Sequence, residues 1–181
     1  MNKKIRYITE TAVMLALLVA LQALTSSMGQ IVTGSCVNAV LAVTALTVGL
    51  GGSLVVALVS PVMAYLLGIA PQILVVPAIM AGNAVFVVLL HFLADPADGN
   101  LVKKIVGWAV SSAAKFAVLY LIVVKVVLGL MAETLLASGS LKPPMIAALT
   151  AKFSWPQLIT ALIGGAVALA IVPVIRKALK K

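Results

Sequence analysis

The chain has 181 residues, of which 64% are hydrophobic and only 9% are charged, and its mean hydropathy is +1.25. Soluble domains carry roughly 45–50% apolar and about 25% charged residues, so this composition excludes a soluble enzyme, a disordered chain and a disulfide scaffold. The net charge of +9 does not indicate nucleic-acid binding, because the basic residues lie mainly at the chain ends and in one loop rather than among aromatics. The composition is typical of an integral membrane protein.

The apolar stretches predict a single all-α membrane domain with six spanning helices, each of which needs about 20 mostly apolar residues. Glycine, proline and aspartate separate the stretches, as at the predicted tight turn of Gly49, Gly51 and Gly52. The predicted spans are residues 9–26, 36–50, 53–70, 73–93, 102–130 and 156–175. Because the second span is short, we expect residues 26–35 to form a re-entrant or capping loop against it.

The distribution of lysine and arginine predicts that both termini lie in the cytoplasm. With six spans, nine of these residues fall on one side: Lys3, Lys4, Arg6, Lys103, Lys104, Arg176, Lys177, Lys180 and Lys181. Only Lys142 and Lys152 fall in loops on the other side. The side rich in basic residues is the cytoplasmic one.

The sequence lacks the motifs of the common energy-using and catalytic sites. It has no G-x-x-x-x-G-K-[ST] phosphate-binding loop, and its single histidine, His91, has no partner at metal-ligand spacing. Asp95 and Asp98 are read as turn residues beside Pro96 and Gly99, although a metal site of a membrane transferase is the alternative. We therefore predict no metal, no cofactor and no enzymatic activity.

Two predicted helices carry ridges of small residues at four-residue spacing, which align on one helix face. The first ridge is Ala12, Ala16 and Ala20, and the second is Thr160, Gly164 and Ala168. Small residues let another backbone approach closely in a membrane. Packing within the chain explains the second ridge, whereas the first is open between internal packing and docking of another subunit.

A six-span chain of this size with a basic start and an Ala12-x-x-x-Ala16 motif resembles the S-components of energy-coupling factor (ECF) vitamin transporters. Pro77, Gly82-Asn83 and the segment at 114–116 look similar too. The resemblance extends over the whole chain in architecture. It implies a prokaryotic plasma-membrane subunit that captures a small vitamin-like solute from outside. It also implies that Ala12, Ala16 and Ala20 dock on a transmembrane coupling subunit, which works with two ATPase subunits.

Lys115 is the clearest candidate for a contact with that solute. It lies 11 residues after Lys104, so about 16 Å along a helix and near the middle of a roughly 30 Å hydrocarbon core. No aspartate or glutamate lies in any predicted span at that depth. A buried ammonium without a carboxylate predicts an anionic solute, and pairing with backbone carbonyls or an uncharged lysine are the alternatives.

Four further polar or aromatic residues are candidate contacts, and three of them have a structural alternative. Asn83 lies at similar depth and is suited to a heterocycle or carboxylate, or to a bond between helices. Asn38 opens the second span, where it contacts solute or satisfies the helix start. Trp155 and Gln157 cluster on the outer side, where Trp155 forms a lid or belongs to the interfacial aromatic belt.

Two other functional classes compete with a binding subunit. A self-sufficient secondary transporter or channel is the main alternative, but a coupled transporter usually needs an intramembrane carboxylate, and none is evident. A membrane-embedded enzyme would need a catalytic set, and we recognise none.

Overall fold

A computed structural model describes residues 2–69, 72–94 and 100–178, and these residues contain helices and turns but no strand. The prediction of an all-α fold is therefore confirmed for this part of the chain. The helices are α1 (Lys3–Thr25), α2 (Gln30–Thr47), α3 (Leu50–Leu66), α4 (Val76–Leu93), α5 (Leu101–Leu119), α6 (Ala132–Ala137), α7 (Pro143–Lys152) and α8 (Trp155–Ala178). Short 3₁₀ turns at Ser26–Met28 and Ile73–Val75 precede α2 and α4.

Five helical segments of the described residues are long and apolar enough to cross a membrane: Lys3–Met28, Gln30–Thr47, Ile73–Leu93, Leu101–Leu130 and Pro143–Ala178. The apolar helix α3 is shorter, with 17 residues. Large hydrophobic side chains cover the outside of the bundle, including Leu24, Val102 and Val174. A surface of this kind is typical of contact with lipid. The chain is a multi-pass membrane protein.

The second span begins earlier than the sequence predicts. A re-entrant or capping loop over residues 26–35 is not formed, because α2 begins at Gln30. Gly29 redirects the chain with a φ of 88°, a left-handed value that glycine adopts without steric cost. The polar start of α2 is stabilised locally, since the Thr33 hydroxyl donates a hydrogen bond to the Thr25 carbonyl at 2.6 Å.

The glycine-rich turn before α3 also contains fewer residues than predicted. Only Gly49 takes a left-handed φ, at 107°, whereas Gly51 and Gly52 lie in the first turn of α3. Other predictions concern residues outside the described ranges, namely the turn with Asp95 and Asp98 and the C-terminal Lys180 and Lys181.

The sequence did not predict the two short helices α6 and α7, which we call the cap. The helix that starts as α5 continues with wider π-type turns over Tyr120–Leu130 before the cap begins. The cap packs against α4 and α5 through a cluster of buried apolar residues. Its members include Val75, Leu119, Val123, Leu141, Leu149 and Phe153. The cap thereby covers one end of the helix bundle.

Glycines bring the central helices close together. A Cβ placed on Gly164 of α8 would lie 2.6 Å from the Ala39 backbone nitrogen of α2. Likewise, a Cβ on Gly82 of α4 would lie 2.7 Å from Leu119 Cγ of α5. These close approaches bring α2, α4, α5 and α8 together around one buried polar cluster.

Candidate functional site

The buried polar cluster is built around Lys115, which is only 3% exposed. Its ammonium donates hydrogen bonds to Asn38 Oδ1 at 2.5 Å and to Asn83 Oδ1 at 2.6 Å. The Phe86 ring lies nearby, with its centroid 5.3 Å from Nζ. A lysine ammonium has three N–H donors, so one donor has no acceptor among the residues that the structure describes.

The two asparagines are held with their oxygens toward the lysine. The Asn38 amide donates to Thr160 Oγ1 at 3.2 Å, and the Asn83 amide donates to the Ala57 carbonyl at 3.4 Å. Because each NH₂ group is engaged elsewhere, each carbonyl oxygen is left to accept from Lys115. The arrangement therefore depends on α2, α3, α4, α5 and α8 together.

No carboxylate balances this lysine within the described ranges. Glu10 is paired with Arg6 at 2.8 Å, and Glu133 lies in the cap helix α6. Amide oxygens satisfy hydrogen bonds but carry no net charge. An anion placed beside the lysine would therefore complete both its hydrogen bonding and its charge balance.

A cavity of about 100 Å³ opens beside Lys115 and ends at the cap. Its walls are partly apolar, with Pro61, Ile79 and Phe153 among them. The polar lining residues are Gln22, Gln30, Thr33, Asn38, Ser60, Asn83, Lys115, Lys152 and Gln157. Gln22 Oε1 is buried and has no hydrogen-bond partner among the described residues. Mixed apolar walls with a few convergent polar groups are typical of a small-molecule site.

The structure brings together four of the five residues predicted to contact solute. Lys115, Asn83, Asn38 and Gln157 all line the cavity. Trp155 does not: it is 67% exposed and stacks on Phe116, with ring centroids 5.6 Å apart. This position matches the aromatic-belt alternative better than a lid over the solute.

Sequence reasoning missed several lining residues. Gln30 and Thr33 lie three residues apart on one face of α2, and this helical spacing is a signal that could have identified them. Gln22 and Ser60 gave no such signal, because each is an isolated polar residue in an apolar stretch, and Phe153 is an apolar residue between two polar ones with no distinctive spacing. Lys152 was noticed only as a basic residue outside the spans.

The ridge residues predicted to dock a partner subunit lie elsewhere. Ala12, Ala16 and Ala20 are all exposed on α1. The buried face of that helix carries Thr11 and Leu18 instead. The first ridge is therefore not used for packing within the described part of the chain.

No metal centre is formed by the described residues, in which no three His, Cys, Asp or Glu side chains come together. His91 contacts the Ala45 carbonyl with Nδ1, at 3.3 Å. In comparisons with known proteins, no protein family, no curated protein and no solved structure matches the chain.

Proposed function

We propose that this protein is the membrane-embedded solute-binding subunit of an ECF-type transporter. It captures a small, vitamin-like anionic solute from outside the cell, and it has no enzymatic activity of its own. One observation carries the proposal: the buried ammonium of Lys115 is held by two neutral amide oxygens at a cavity and retains an unused donor.

The energetic reason lies in the cost of a buried charge. An ammonium removed from water is stable only when it is paired or fully hydrogen-bonded. In a membrane protein, an ionisable residue at this depth is a functional site by default. A carboxylate or another anionic group of the solute would accept from the open N–H and supply the missing charge.

For the membrane arrangement, we propose six spans with both termini in the cytoplasm of a prokaryotic cell. The remaining span is α3, whose 17 residues equal about 25 Å, the lower limit for a crossing, so that this helix has to stand nearly upright in the bilayer. The excess of basic residues at the chain ends supports the orientation. A reporter that is active only outside the cytoplasm, fused after Lys181, is expected to give no signal. A strong signal would place the C-terminus outside and overturn this topology.

For the partners, we propose a transmembrane coupling subunit and two ATPase subunits. The sequence itself has no phosphate-binding loop with which to use ATP. The exposed alanines at positions 12, 16 and 20 offer a surface for close helix packing. Recovery of an ATPase with the tagged protein from native membranes supports this assembly, whereas uptake by the purified chain alone would favour a self-sufficient transporter.

The central test replaces Lys115 with methionine, which keeps most of the side-chain volume and removes the charge. Losing a desolvated charged partner typically costs about 2–5 kcal/mol, so binding of the solute is expected to weaken by about 30-fold or more. The measurement is titration calorimetry with the solute that mass spectrometry identifies after its release from purified protein. Lys115→Arg keeps the charge with a different geometry and is expected to restore binding only in part.

Lys125→Met is the matched control. Lys125 belongs to the same continuous helical segment, but its side chain is exposed and does not line the cavity. Its replacement is expected to leave binding unchanged. If Lys115→Met binds the solute as tightly as the Lys125 variant does, Lys115 is not a ligand residue and the inference of an anionic solute from it is overturned.

A further inference from the structure

The cavity beside Lys115 is lined by a second lysine. Lys152 is the last residue of α7 in the cap, is half-buried, and lines the same cavity. It also lines a larger neighbouring cavity of about 470 Å³, which shares Gln30, Thr33 and Ile69 with the first. Lys152 therefore lines both neighbouring cavities.

The position of Lys152 is fixed by its backbone. Its carbonyl accepts a hydrogen bond from Gln157 Nε2 at 3.1 Å, which ties the end of α7 to the start of α8. Its ammonium has no hydrogen bond or ion pair with the described residues. No lining residue of either cavity is acidic. The linings of the two cavities together thus contain two basic residues and no acidic one.

We propose that the solute carries two anionic groups, one held by Lys115 in the bundle and the other by Lys152 in the cap. This inference rests on the proposed function and specifies the class of solute. A solute with one anionic group would leave one ammonium partly desolvated and unpaired, which is costly. A solute with anionic groups at both ends, such as a dicarboxylate, neutralises both lysines and places its apolar middle against Ile79, Pro61 and Phe153.

A lysine at the end of a helix also has a simpler explanation, because a cation there stabilises the helix dipole. The two explanations differ in what they predict for ligands. Stabilisation of the helix is independent of the second anionic group of a solute, whereas direct contact depends on it. The test therefore varies the lysine and the ligand charge together.

The experiment measures two quantities on the purified full-length protein in detergent. Mass spectrometry identifies the solute that remains bound through purification and counts its acidic groups. Thermal unfolding is then followed with the dicarboxylates from succinate to suberate, each compared with its monomethyl ester. The variants are Lys152→Met, Lys152→Arg and the control Lys142→Met, which removes an exposed cap lysine that does not line the cavity.

We expect a retained solute with at least two acidic groups, and a dicarboxylate that stabilises the protein more than its monoester does. Lys152→Met is expected to weaken binding of the dianion by about tenfold, the effect of one lost charge-assisted hydrogen bond. Lys152→Met should have little effect on the monoester, and Lys152→Arg should keep most of the binding. Lys142→Met is expected to behave as the parent protein.

Three results would overturn the inference while leaving the proposed function in place. They are a retained solute with one acidic group, equal binding by the Lys152→Met and Lys142→Met variants, or equal losses for Lys152→Met and Lys152→Arg. In each of these cases Lys115→Met still weakens binding. A protein that retains no solute and is stabilised by none of the probes overturns the proposed function itself and this inference with it.

Discussion

Two ridges of small residues with the same four-residue spacing have opposite surroundings in this protein. Thr160, Gly164 and Ala168 on α8 are buried against α2, whereas Ala12, Ala16 and Ala20 on α1 are exposed. A spacing pattern therefore identifies a face that permits close packing, but not the helix that occupies it. Which helix packs on that face depends on the other residues that lie at the same depth in the bundle.

The buried ridge has polar partners and the exposed ridge has none. Thr160 accepts a hydrogen bond from Asn38, so the α8 ridge contributes to the cluster around Lys115 as well as to packing. On α1, the residues that pack inward are Thr11 and Leu18, seven positions apart and thus on one face. The alanines point away from that face, toward lipid or a partner.

The largest expected effect comes from filling the buried ridge. Gly164→Leu places a Cβ 2.6 Å from the backbone nitrogen of Ala39, and backbone cannot move aside as a flexible side chain can. Overpacking usually costs about 1–3 kcal/mol, and we expect this variant to reach about 3 kcal/mol or more. The measurement is the midpoint of unfolding in detergent, together with solute binding, which should be lost in parallel.

Gly129→Leu is the control for this substitution. Gly129 is exposed and helical, and a Cβ there would meet only the Val124 carbonyl oxygen, at 3.4 Å. Its unfolding midpoint is expected to stay near that of the parent. Equal stability of the two leucine variants would contradict the close packing of α2 and α8.

A smaller effect on stability, with a specific effect on transport, is expected from filling the exposed ridge. Ala16→Trp adds a side chain where the described residues leave open space, so we expect a stability change below about 0.5 kcal/mol and unchanged solute binding. Uptake in cells is expected to fall by about tenfold or more, because a bulky residue would block close approach of the proposed coupling subunit.

Leu17→Trp separates docking from a general disturbance of α1. Leu17 is also exposed but lies about 100° around the helix from Ala16. Uptake by this variant should remain close to that of the parent. If Ala16→Trp instead destroys folding and binding together, the ridge packs inside the chain and the contrast between the two ridges disappears.

Sequence reasoning predicted the helical class, the main spans and much of the polar cluster. Lys115 could be recognised because its depth follows from counting residues along one helix. Its contacts with Asn38 and Asn83 could not be derived in the same way, since they depend on how α2 and α4 rotate against α5. Trp155 shows the same limitation, because its position near the outer end did not reveal that it stacks on Phe116.

The cap was missed for a different physical reason. Its helices have six and ten residues, too short for hydrophobic periodicity to identify. They are stabilised by tertiary packing of residues such as Leu141, Leu149 and Phe153 rather than by local propensity. As a result, Lys152 was assigned to a loop outside the spans, whereas it ends α7, lies within the apolar helical segment Pro143–Ala178 and lines the cavity.

Two asparagines rather than aspartates accept hydrogen bonds from Lys115, so the shape of the cavity and the charge of the cavity depend on different atoms. Aspartate has almost the same size as asparagine, so an aspartate at position 38 or 83 would occupy the same space and neutralise the lysine from within. An arriving anion would then compete with a resident carboxylate, and an uncharged molecule of the same outline would be favoured. If the cavity binds the proposed anionic solute, replacing one amide with a carboxylate would shift its preference to a neutral solute and leave the walls that fit the outline in place.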